Sequence, residues 1–268
     1  MVKAIFIDYF LQVLFSIGLV VAAGLIIGLI NVAVYRLLGG VSKKVCVATG
    51  IIGTPIHELG HALFCLIFGH KITKMKLFSP DPDSGTLGYV SHTYNKRNIY
   101  HQIGNFFIGI GPIISGGLVI TLIMYLAVPA VLTGVTNSIS GINLNSFSGV
   151  VNNIYDILYI VLFNPNNLSN FAWWIFIIVC SSIALHMAIS VPDIRCSIQG
   201  LIYILGTMLV VNIIIGIISL GALDLITDFI LGISSYLIAL LGICLIMSLI
   251  ILCLALIFRI IRKILFKV

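Results

Sequence analysis

From Tyr9 to Tyr35 the chain carries no Asp, Glu, Lys or Arg. That run exceeds the ~18–20 apolar residues a helix needs to cross the hydrocarbon core of a bilayer. It is also longer than the ~7–15-residue apolar core of a signal peptide, so it reads as a retained helix. Taking this first span as about 10–35, further apolar spans follow at about 45–68, 103–132, 171–189, 196–223 and 229–258. Composition agrees: 60% of residues are hydrophobic and 8% charged, with a mean hydropathy of +1.23. Ordinary soluble domains carry roughly 25% charged residues. Soluble, disordered, fibrous and disulfide-stapled secreted classes are therefore excluded. The expected fold is an all-α polytopic membrane protein of about six transmembrane helices, a single domain over 1–268 with the lipid bilayer as its partner.

The net charge of +6 is a topology signal before it is anything else. Five Lys/Arg lie between Lys71 and Arg97, Arg195 stands alone, and Arg259, Arg262, Lys263 and Lys267 form a basic tail. The stretch from Thr133 to Asn170 has no Lys or Arg. Positive-inside logic then puts both termini in the cytoplasm, with Arg36, Lys43 and Lys44 on the outer side against the trend. No basic stripe interleaves with aromatics, so no nucleic-acid partner is expected. The six cysteines lie in or beside apolar runs without C-x-x-C spacing and read as packing residues.

The chain's only glutamate, Glu58, stands in Gly53-Thr54-Pro55-Ile56-His57-Glu58-Leu59-Gly60-His61, within the second apolar span. A His-Glu-x-x-His match arises in about 4 × 10⁻⁴ of shuffles of this composition. A carboxylate inside a membrane helix costs several kcal/mol and by default marks function. Positions i and i+4 share a helical face, so His57 and His61 can grip one metal ion, for which imidazole pairs suit Zn2+. Glu58 then reaches the water that zinc acidifies to a pKa of ~7, acting as general base and afterwards as acid toward the leaving amine. That combination belongs to hydrolysis of amide bonds.

These residues also carry a resemblance. His57-Glu58-Leu59-Gly60-His61 on a membrane helix, then Phe68-Gly69-His70-Lys71, Gly88-Tyr89-Val90, and Gly111-Pro112 within the next span, resemble the site-2 protease family of intramembrane zinc metalloproteases. The resemblance covers roughly His57 to Gly117 and implies a third zinc ligand from an Asp on a later span. Ser190-Val191-Pro192-Asp193-Ile194 offers Asp193, without the Gly that usually follows in the family. Where the family has an Asn that orients substrate, this chain has Ser115, and Asn105 is an alternative for that role. The implied function is a zinc-dependent intramembrane endopeptidase cutting membrane-spanning or membrane-anchored protein substrates near the cytoplasmic side.

Other residues are weighed against plainer roles. His186, Ser190 and Asp193 are spaced i, i+4, i+7 and share a face if the helix continues through Pro192. His186 is thus a second candidate for the third ligand, or a residue that supports the ligands from behind. Sidedness favours Asp193: Asp156, Asp224 and Asp228 fall in loops assigned to the outer side. His70, His92 and His101 read as solvated loop histidines, and Cys65 as a packing thiol. Lys71–Phe78 and Thr86–Tyr94 read as the strands of a short β-hairpin around the turn Ser79–Gly85, with an edge that an extended substrate could join. Two other functions fit part of the pattern: a catalytically silent assembly protein with a structural zinc, and a metal transporter using the same ligands.

Overall fold

The computed structural model describes residues 1–81, 85–140, 155–156 and 159–266. Nine helices can be followed there: α1 (Val2–Val13), α2 (Leu19–Leu38), α3 (Ser42–Ile67), α4 (Ile99–Ala127), α5 (Pro129–Ser140), α6 (Pro165–Leu168), α7 (Phe171–Leu185), α8 (Val191–Ile218) and α9 (Leu220–Phe266). One antiparallel hairpin pairs β1 (Lys71–Lys76) with β2 (Tyr89–Thr93), with a bulge between Ile72 and Lys74. The expected hairpin is thus present; Pro82, Asp83 and Ser84 of its turn lie outside the described residues.

Among the described residues, four helical stretches are long and apolar enough to cross a membrane: Val2–Ile67, Ile99–Ala127, Val191–Ile218 and Leu220–Leu265. The exterior is correspondingly oily. Along α8 only Gly200, Asn212 and Gly216 are buried, while Ile202, Ile217 and Ile218 are exposed, the reverse of a water-soluble helix. The first stretch joins two of the spans read from the sequence. A π-turn at Leu14–Gly18 links α1 to α2, and the helix breaks at Gly39, whose φ of 58° lies in the left-handed region that only glycine enters without cost.

The expected fourth and fifth spans are not independent. α7 has 15 residues, too few to cross alone. It stops at Leu185, and after a short irregular segment α8 continues in the same direction. Ser182 lies against Gly53, Met187 against Gly116, Asp193 against Gly109, and Phe106 against Gly200. The chain therefore advances steadily along α3 and back along α4, and α7 and α8 form two halves of one interrupted column. The break follows from the sequence: Pro192 removes a backbone donor and suits only a first helical turn, and Ser190 caps the new start.

α1–α2 and α9 run side by side in parallel. Gln12 bonds Thr227 near their beginnings, and Arg262 lies beside Gly39 near their ends. Arg36, Lys43 and Lys44 thus share one end of the bundle with Arg259, Arg262 and Lys263, and the β1–β2 hairpin lies toward the other. The core fills the space between α2, α4, α7 and α9 with Ile27, Ile113, Ile120, Phe176, Met247 and Ile250.

Candidate metal centre

α3 and α4 cross closely where Gly60 meets Gly111; a Cβ on Gly60 would lie 2.8 Å from the Gly111 carbonyl oxygen. This approach brings the His61 side of α3 against the α4 backbone, and His61 Nδ1–H donates to the Ile108 carbonyl at 2.7 Å. One turn earlier, His57 Nδ1–H donates at 2.6 Å to the carbonyl of His186, at the frayed end of α7. Because carbonyls only accept, both rings carry their proton on Nδ1, and both Nε2 lone pairs are free. Those two Nε2 atoms face each other at 3.1 Å.

Asp193 closes the group. Its Oδ1 lies 3.3 Å from His61 Nε2 and its Oδ2 3.8 Å from His57 Nε2. Two lone pairs and a carboxylate aimed at one point repel unless a cation lies among them, either a proton on one imidazole or a metal ion. Two nitrogens held ~2.0–2.1 Å from a tetrahedral zinc stand about 3.3 Å apart, so the observed spacings suit a metal of that size. Backbone carbonyls behind ligand histidines are also the usual device for fixing the tautomer. His57, His61 and Asp193 form one of two clusters among the described residues that could hold a metal ion.

The supporting chemistry of Asp193 is local. Ser190 is the N-cap of α8 and Asp193 its third residue; Ser190 N–H and Oγ–H both donate to Asp193 Oδ2, and Asp193 N–H donates back to Ser190 Oγ. This reciprocal capping box holds the carboxylate through Oδ2 while leaving Oδ1 turned to His61. The helix does not continue through Pro192, so the i, i+4, i+7 face expected for His186, Ser190 and Asp193 does not exist.

His186 lies outside the cluster. Thr49 gives its own proton to the Val45 carbonyl, so His186 Nε2–H donates to Thr49 Oγ1 at 3.0 Å, and Thr54 Oγ1 lies 3.5 Å from Nδ1. Its ring is committed to α3, and its contribution to the metal centre is the carbonyl that orients His57. Asn105 is fully buried, with Gln102 Oε1 at 3.3 Å and the Cys196 thiol at 3.6 Å, and does not line the cavity described below. Ser115 donates to the Ile56 and Pro112 carbonyls and does not line it either.

Glu58 is buried, with 6% of its surface exposed, and lines a cavity of about 570 Å³ together with the three metal-facing residues. Thr54, His186, Ser190 and Cys196 complete one side, and Leu87, Gly88, Tyr89, Val90 and His92 form the hairpin wall. Of the loop histidines, His70 departs from the expected solvated state, while His92 and His101 are half-buried. His70 is 3% exposed, stacks on Tyr94 at 4.6 Å and faces His92, while Cys65 is fully buried beside them. Cys65 falls four residues after His61 and so continues the His57–His61 face; that spacing was the signal available in the sequence.

A scan against protein-family models and searches of curated proteins and of solved structures return no match.

Proposed function

We propose that the protein is a zinc-dependent intramembrane endopeptidase of the kind that the site-2 protease family comprises, acting on membrane-spanning or membrane-anchored proteins. The observation that carries this reading is the convergence of His57, His61 and Asp193 on one point, in a cavity that also exposes Glu58.

In this reading His57 Nε2, His61 Nε2 and the Asp193 carboxylate hold Zn2+. Zinc bound there supplies Lewis acidity and a water acidic enough to yield its proton near neutral pH. Glu58, which does not share the converging point, would serve as general base beside such a metal, accepting the proton of the attacking water as its oxygen bonds the amide carbon and returning it to the nitrogen as the C–N bond breaks. The His186 and Ile108 carbonyls keep both imidazoles in the Nδ1–H tautomer throughout, so their lone pairs stay available. The hairpin wall at Gly88–Val90 gives an extended backbone something to lie against, which a helical substrate needs before its amide can be reached. A carboxylate beside, rather than in, the ligand set is what hydrolysis requires and what a structural or transit site has no use for.

The proposal includes five membrane passages in place of six: α1–α2, α3, α4, the broken α7/α8 column and α9. An odd number puts the two termini on opposite sides. Basic residues stand at both ends of the bundle, and the proposal places the cut at the end that carries the Lys71–Arg97 loop, where the N-terminus lies too.

The test is co-expression with single-span candidate substrates. A fragment that appears with the wild-type chain and not with Glu58→Gln bears the proposal out. A fragment formed equally by both rejects it.

A further inference from the structure

A second donor cluster stands one helical turn beyond the first. Cys65 Sγ, a nitrogen of His70 and a nitrogen of His92 all lie within 4.8 Å of one another. Its protonation pattern is legible in the same way. His70 Nε2–H donates at 2.9 Å to the His101 carbonyl, which leaves the His70 Nδ1 lone pair pointing inward. There it meets His92 Nδ1 at 3.0 Å. At that spacing His92 Nδ1–H donates to His70 Nδ1, and a metal ion that displaced this one proton would find both nitrogens turned toward it.

We infer that Cys65, His70 and His92 form a second metal site, with the thiolate–bis-imidazole donor set that suits Zn2+. Thiolate and imidazole are both zinc ligands of choice, and a carbonyl behind one histidine again fixes the ring. The Tyr94 ring stacked on His70 holds that imidazole from its face. Cys65 comes from the last turn of α3, His70 from just after it, and His92 from β2. An ion here fastens the hairpin to the end of the helix that carries His57 and His61. His92 also lines the main cavity, as do Tyr89 and Val90 of the same strand. The site therefore sets the position of the cavity's hairpin wall, without belonging to the donor group around Asp193.

The inference does not rest on the protease reading, and cobalt substitution separates the two. Purified full-length protein is stripped and reloaded with Co2+. A thiolate ligand gives a near-ultraviolet sulfur-to-cobalt charge-transfer band, which the His57–His61–Asp193 group, lacking sulfur, cannot produce. The band is expected in the wild type and in His61→Ala, lost in Cys65→Ser and in His92→Asn, and bleached by added Zn2+, which outcompetes Co2+ at such sites. Total bound metal falls by one equivalent in both of the last two variants. If Cys65→Ser fails to fold, His92→Asn on the hairpin carries the comparison. Absence of the band in the wild type, or its survival in Cys65→Ser, overturns the site; a band that Zn2+ does not displace overturns its assignment to zinc.

Discussion

Ser190 and Asp193 share a reciprocal capping box in which Asp193 Oδ2 accepts the Ser190 N–H at 2.9 Å, while Asp193 Oδ1 stands 3.3 Å from His61 Nε2. One carboxylate thus starts a helix and completes a donor group that could hold a metal ion. The break between α7 and α8 makes this available: a residue in mid-helix has no free backbone N–H beside it, whereas the first turn of a helix has several.

Ser190→Ala is therefore expected to act at a distance from the metal. It removes a helix cap, worth about 0.5–2 kcal/mol of stability. It also frees the Asp193 carboxylate, and loss of such a supporting bond typically weakens metal binding ~10–100-fold. Titration of zinc into the stripped protein checks the second effect, and thermal unfolding checks the first. Unchanged zinc affinity would mean that the cap does not orient the ligand.

Asp193→Ala and His186→Ala are expected to separate cleanly. Without Asp193 the centre has two protein ligands, short of the three that catalytic zinc sites use, and zinc is lost from it. His186 serves the site through its backbone carbonyl, which alanine keeps, so His186→Ala retains the zinc. Bound metal per chain at matched folding decides the point, with the reverse pattern exchanging the two roles.

Glu58→Gln leaves the three ligands in place and keeps their metal. Glutamine cannot accept a proton, so cleavage falls by at least ~10²–10⁴. Zinc content and cleavage measured on one preparation check this prediction; loss of both together would mark Glu58 as a structural residue.

Reporter enzymes fused to the N-terminus and to the C-terminus are expected to report opposite sides of the membrane. Gln12 with Thr227, and Gly39 with Arg262, fix α1–α2 and α9 as parallel, and in the proposed five-passage arrangement each crosses once. Reporters on the same side would restore an even number of passages.

Composition and periodicity alone determined that most of this chain is apolar helix, because long uncharged runs have no other way to satisfy their backbone. The hairpin was legible in the β-branched and turn residues between Lys71 and Tyr94. The His57-Glu58-Leu59-Gly60-His61 pattern was legible because helix geometry alone puts both imidazoles on one face. Tertiary structure decided what depends on residues distant in sequence. It separated Asp193 from His186: Pro192 and Ser190 mark the new helix start in the sequence, but only the packing against α3 shows that Asp193 meets His57 and His61 while the His186 ring turns to Thr49. It set α8 running on from α7 along α4, because local sequence fixes a helix but not which way it runs past its neighbours. It also drew Cys65, His70 and His92 together, since strand pairing places His92 beside the end of α3 across more than twenty residues of chain.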